Sequence, residues 1–242
     1  MIVIEHQTSV DEGYLADWLP PHTLVRPHAG DPLPSRAAAP MIVLGGEMNA
    51  YADDEAPWLP RVRALMADAA SQSIPCLGIC LGAQLLAVAI GGVVTVGHEA
   101  GLELGPTPIT ATDAAATDPL FQAMPPQWWS LASHSDGISQ LPAGSTLLAT
   151  SPRYPQAFRI GESAWGVQFH PEATRETFTR WARNDLANRH SAPACDGGSD
   201  SDAAHGADYT LEGVLALTAQ HWEDMRQASE TLIRRFAELA GR

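Results

Sequence analysis

Residues 74–94 read IPCLGICLGAQLLAVAIGGVV, and no Asp, Glu, Lys or Arg occurs from Ala69 through His98. By length alone this run offers the roughly 20 apolar residues a membrane-spanning helix needs. Its punctuation argues otherwise. Pro75 opens the segment, Gly78 and Gly82 flank Cys80, and Gly91-Gly92 would interrupt the helix, each glycine costing about 1 kcal/mol relative to alanine. Neither flank carries the Lys or Arg that anchors a span. The stretch therefore reads as a buried strand from Pro75 to Ile79, a sharp turn at Cys80, a helix from about Gly82 to Ile90, and a strand from about Val93 to Val96. A sheet covered by helices on both faces produces such an uncharged run.

Working outward, β-branched and apolar runs predict strands at Ile2–Glu5, Thr23–Arg26, Met41–Leu44, Pro106–Thr112, Ser130–Ser133, Ser145–Thr150, Gln156–Ile160 and Ala164–Phe169. Three- and four-residue apolar spacing predicts helices at Asp11–Leu19, Trp58–Ser71 and Ala173–Asn188. Strand–helix alternation in the first half implies an α/β fold with a mostly parallel sheet. The closely spaced later strands imply a smaller antiparallel region.

Three segments follow from this: one domain over 1–188, a flexible Gly/Ser/Asp-rich loop over 189–208, and a C-terminal helix over 209–242. In the loop, His190, Cys195, Asp200 and His205 have no regular metal-ligand spacing. In the helix, Leu211, Thr218, Met225, Leu232 and Leu239 recur every seven residues, with Leu215, Trp222, Ser229 and Phe236 four positions after the first four. That stripe either packs on its own domain or serves as a docking face for a partner or a second copy in a homo-oligomer.

At 242 residues and 45% hydrophobic content the chain is long enough for a single large core. Its net charge is −14, and its 14 basic residues are all arginine. That balance argues against nucleic acid as the main partner, since phosphate neutralisation needs clustered positive charge. The N-terminus MIVIEHQTSV lacks a basic segment, so no secretory signal is expected and a cytoplasmic location is the default. Three cysteines, Cys76, Cys80 and Cys195, do not make a disulfide framework.

Cys80 is the centre of Gly78-Ile79-Cys80-Leu81-Gly82, a G-x-C-x-G pattern between strand and helix that parallels the nucleophile elbow of hydrolases. The following helix points its N-terminus at the sulfur, which favours thiolate and supplies N–H donors for an oxyanion. Cys76, within the strand, reads as an inert buried thiol. A nucleophilic thiolate needs a base held by a third group. The run WGVQFHPE at 165–172 ends a predicted strand with His170 and Glu172 two residues apart. If the strand stays extended through Pro171, both side chains leave on one face and the carboxylate can orient the imidazole.

Together, PCLGICLGAQLLA around Cys80 and GVQFHPE around His170 and Glu172 resemble the class I, or triad, glutamine amidotransferases, most closely free-standing domains related to the glutaminase half of GMP synthetase. The resemblance extends through GGEMNAY from Gly45, Glu103-Leu104-Gly105, SHSDGI from Ser133 and YPQAFRI before the histidine strand, covering most of residues 40–180. It implies a flavodoxin-like three-layer domain, with the catalytic residues Cys80, His170 and Glu172 forming a glutamyl thioester and releasing ammonia. It also implies oxyanion donors at Gly46 and Leu81, and substrate contacts from Gln84, His134, Ser135 and Asp136. Ser135 stands where the family more often has glycine, and Glu47 where proline is common.

The resemblance implies no cofactor and no metal, and Asp53-Asp54-Glu55 reads as a solvated loop. The chain has no room after the core for an ATP-binding domain and lacks a G-x-x-x-x-G-K-[ST] loop. A separate synthetase subunit is therefore expected to accept the ammonia. The alternatives are a stand-alone hydrolase of a γ-glutamyl compound and a partner-binding subunit with latent activity.

Overall fold

The computed structural model describes residues 1–191 and 210–241. In chain order the elements are β1 (Ile2–Ile4), α1 (Leu15–Trp18), β2 (Thr23–Val25), β3 (Met41–Val43), α2 (Leu59–Ser71), β4 (Cys76–Ile79), α3 (Leu81–Ala89) and β5 (Val93–Thr95). Then come β6 (Glu103–Ala111), β7 (Gln127–His134), β8 (Gly137–Gln140), β9 (Thr146–Thr150), β10 (Pro155–Ile160), β11 (Ala164–Val167), α4 (Arg175–Ser191) and α5 (Leu211–Ala240). A nine-stranded sheet runs β2-β1-β3-β4-β11-β10-β9-β6-β7. From β2 to β11 neighbours are parallel, and from β11 to β7 they are antiparallel. A separate ribbon pairs β5 with β8.

Period-two alternation sends the side chains of Val3, Ile42 and Leu77 into one apolar layer and those of Ile4, Val43 and Cys76 into the other. Leu15 and Trp18 of α1 and Leu232, Ile233 and Phe236 of α5 cover the first. Leu59, Val62 and Leu65 of α2 and Leu81, Leu85 and Leu86 of α3 cover the second. This is the three-layer, flavodoxin-like arrangement expected. β4 lies between β3 and β11 and is buried along its whole length, as is α3 from Leu81 to Ala87, which is why the centre of the uncharged run carries no charge. Among the described residues no helix is long and apolar enough to cross a membrane.

The apolar stripe of α5 is turned inward. Val214, Thr218, Trp222, Met225, Ser229, Leu232, Ile233 and Phe236 are buried in the chain's own core, so this face is occupied within the domain rather than presented to a second copy. Helix α1 is shorter than Asp11–Leu19, because Gly13 takes a φ of +45° and sits under the Glu172 carbonyl. Strand β8 begins within the SHSDGI motif and runs beyond it to Gln140, where no strand was expected. The strand expected to reach Phe169 stops at Val167, and the chain then bends and turns through Pro171 and Glu172. The 189–208 loop, with Cys195, Asp200 and His205, lies outside the described residues from 192 onward.

Candidate active site

Cys80 follows β4 and precedes α3 with φ 51° and ψ −107°, a conformation disfavoured for a residue with a side chain. Its N–H is held by the Val167 carbonyl at 2.8 Å, and its own carbonyl accepts from Gln84 N at 3.1 Å. The flanking glycines are steric requirements. A Cβ on Gly82 would lie 2.1 Å from the Val43 carbonyl oxygen, and one on Gly78 would lie 2.4 Å from the Gly82 carbonyl oxygen. The turn is therefore compressed between β3 and α3, and the cysteine side chain projects over the carboxyl ends of the parallel strands, the usual ligand position in such sheets.

His170 and Glu172 meet, as the two-residue spacing suggested, but by a different route. The turn at Pro171–Glu172, not continued extended strand, brings His170 Nδ1 to 2.7 Å from Glu172 Oε1. The Glu172 backbone is pinned by Tyr14 N at 2.9 Å and by the close approach of Gly13. Both side chains are buried, and Trp181 of α4 packs against the imidazole at 4.7 Å. Burial pushes the imidazole towards its neutral form, but the Glu172 carboxylate and the Cys80 sulfur beside it prevail and hold its pKa well above the usual histidine value.

Cys80 and His170 open onto a cleft of about 890 Å³. Gly46 and Leu81 line the same cleft, and neither backbone N–H has an acceptor among the described residues. Gln84, His134, Ser135 and Asp136 are also on its wall. Gln84 Nε2 approaches the Asp136 carbonyl at 3.3 Å and Gln168 Oε1 at 3.2 Å. Both ring nitrogens of His134 are partnered within the protein, Nδ1 with the Asp136 carbonyl at 2.9 Å and Nε2 with Glu103 at 3.1 Å. Ser135 is exposed, and its carbonyl accepts from His98 N at 2.9 Å. Glu47 accepts from Ser9 Oγ at 2.9 Å and donates its N–H to Gln7 Oε1 at 3.0 Å, so this loop is braced by side chains.

Sequence reasoning missed Gln168, whose Nε2 lies 3.6 Å from Cys80 Sγ, and the burial of Glu103 against Ser151, Gln156 and His134. Both stand inside the quoted motifs, but only their long-range partners mark them. Cys76 is fully buried, with its thiol pushed up to about 12 by burial. Asp53 pairs with Arg63 at 2.7 Å, and no cluster suited to a metal ion occurs among the described residues.

A strained cysteine turn over the carboxyl ends of a parallel sheet thus lies beside a carboxylate-held imidazole on the wall of one cleft, in an α/β domain. The model of the family described as Glutamine amidotransferase class-I matches residues 34–188, and the chain belongs to that family. It is 30% identical over 158 residues to the GMP synthase [glutamine-hydrolyzing] of Streptococcus equi subsp. zooepidemicus, and the match covers 64% of this chain but 28% of that protein. The enzyme of the same name from Streptococcus pneumoniae strain CGSP14 is 31% identical over 158 residues, with the same shares covered. A glutamine amido transferase from Methylobacillus flagellatus superposes with a TM-score of 0.77 at 26% identity, covering 98% of this chain and 94% of that one. A glutamine amidotransferase from Thermotoga maritima gives 0.77 at 24% identity over 98% of this chain and 97% of its own, a likeness of fold.

Proposed function

We propose that the chain hydrolyses the side-chain amide of glutamine through a thioester on Cys80. The observation that carries this reading is the strained cysteine at the head of α3 beside His170, itself 2.7 Å from Glu172. The thiolate adds to the carboxamide carbon, and the oxyanion faces the free N–H groups of Gly46 and Leu81, each donor worth about 3 kcal/mol in such sites. His170 passes its proton to the departing nitrogen, the C–N bond breaks, and ammonia leaves. Water then loses a proton to His170 and cleaves the thioester, giving glutamate and regenerating the thiolate. Glu172 holds the imidazole in register and stabilises its cation. Gln84, Ser135 and Asp136 form the substrate-facing wall, with His134 supporting Asp136 from behind.

In this reading the ammonia passes to a synthetase, since the curated relatives, of which the match covers 28%, are called GMP synthases. A second reading, hydrolysis of a γ-glutamyl amide or peptide by the chain alone, is favoured by the cleft volume of about 890 Å³, near the upper end for sites that hold drug-sized ligands. A noncatalytic, partner-binding role is disfavoured, because the stripe of α5 is buried within the domain.

The test measures ammonia and glutamate released from glutamine, and from a panel of γ-glutamyl amides, by wild type and Cys80→Ser. We expect a loss of about 10³-fold or more in the serine variant. Turnover that survives the substitution refutes the assigned nucleophile, and a preference for one γ-glutamyl amide selects the second reading.

A further inference from the structure

Gln168 occupies the bend between β11 and His170, is buried, and has no part in the chemistry set out above. Its main chain is fixed by donation to the Gln156 carbonyl at 2.9 Å. Its side-chain amide spans the gap between Cys80 and Gln84, with Nε2 3.6 Å from Cys80 Sγ and Oε1 3.2 Å from Gln84 Nε2.

The direction of this amide follows from its partners. The backbone carbonyl of Asp136 can only accept, so the end of Gln84 that approaches it at 3.3 Å is the NH₂ group. The same NH₂ faces Gln168, which must turn its oxygen to Gln84 and its own NH₂ to the sulfur. Reversing Gln168 would set two donor groups against each other in a buried site and place a carbonyl oxygen against the sulfur. The chain from the Asp136 carbonyl through Gln84 to Cys80 therefore runs one way, ending on a donor.

Taking Cys80 as the nucleophile, we propose that Gln168 is a thiolate-stabilising residue, its Nε2–H donating to the Cys80 sulfur and favouring the anion that attacks the carboxamide. A hydrogen bond to an ionised acceptor is roughly twice as strong as one to a neutral acceptor, so this donor lowers the thiol's affinity for its proton. The NH₂ end cannot take up that proton, which leaves His170 as its recipient. Gln84 and the Asp136 carbonyl act through Gln168 as an orienting brace.

The experiment follows alkylation of Cys80 by iodoacetamide across pH, read at that residue by mass spectrometry, in wild type, Gln168→Leu and Gln168→Glu. Besides His170, with Glu172 behind it, the titratable groups facing the cleft are Glu47, His98, His134, Asp136 and Asp185; all are kept in every variant. The inflection should rise by about one pH unit in Gln168→Leu, a tenfold slower alkylation below it. It should rise further in Gln168→Glu, which sets a carboxylate beside the sulfur. An unchanged inflection in folded Gln168→Leu overturns the proposal, whereas wild type that is never alkylated at Cys80 overturns the nucleophile assignment instead. If neither variant folds, side-chain amide NMR on the wild type decides. The Gln168 NH₂ proton signals should move on Cys80→Ala, and signals that stay in place overturn the proposal.

Discussion

The carbonyl oxygen of Val43 lies 2.1 Å from the point where a Cβ on Gly82 would sit, so the smallest side chain forces β3 and α3 apart. Gly82→Ala should cost about 2–3 kcal/mol in urea unfolding and slow alkylation of Cys80 by moving the turn that aims it. His6 is a second residue whose environment decides its behaviour. It is fully buried, Trp58 Nε1 donates to its Nδ1 at 3.0 Å, and its Nε2 has no partner among the described residues. Burial first, and then the nearby His28, lower its pKa from 6.5 to about 4. Between these values the unfolded chain binds a proton that the native protein refuses, so stability is full above pH 6.5 and falls as pH drops towards 4, by about 3 kcal/mol in all. His6→Gln, which keeps an acceptor for Trp58, should flatten that slope in denaturation curves taken across the window.

At the scale of elements, α5 shows how a long amphipathic helix is used. Phe236 is fully buried and meets Trp165 edge-on at 6.3 Å, and Trp222 receives the Arg175 guanidinium at 4.9 Å. Phe236→Ala should cost about 3–5 kcal/mol, measured by chemical denaturation. A helix that merely awaited a partner would lose almost nothing on the same change. The seven-residue repeat was legible in the chain, but whether it faced inward or outward was not. Thr218 and Ser229 sit on the buried line, and Thr218 satisfies its hydroxyl on the Val214 carbonyl at 2.7 Å within the helix. Polar residues in the stripe therefore do not signal exposure.

At the scale of the whole molecule, the sheet is parallel where the site is built and antiparallel beyond it. The register pairs Ile79 with Val167, so the residues that follow, Cys80 and Gln168, leave adjacent strands side by side, with His170 just past them. The chain carries a net charge of −14, and its self-repulsion opposes folding. Raising ionic strength from about 10 mM to about 1 M shortens the screening length from roughly 30 Å to roughly 3 Å. The melting temperature should rise over that range, and a scan in increasing NaCl measures it.

Strand–helix alternation, the punctuation of residues 74–94 and the period of α5 follow from local side-chain preferences, so the sequence by itself determined the α/β class and the positions of most elements. It also marked Cys80, His170 and Glu172, because glycine spacing and motif order are written along the chain. Only the tertiary structure decided the turn at Pro171 that joins His170 to Glu172, the seating of α5 and the partners of Gln168 and Glu103. Gln168 reaches Cys80 across 88 positions and Arg235 of α5 reaches the Pro119 carbonyl across 116, and no local pattern encodes contacts of that range. They arise when buried polar groups that have lost water must each find a donor or acceptor in the folded chain.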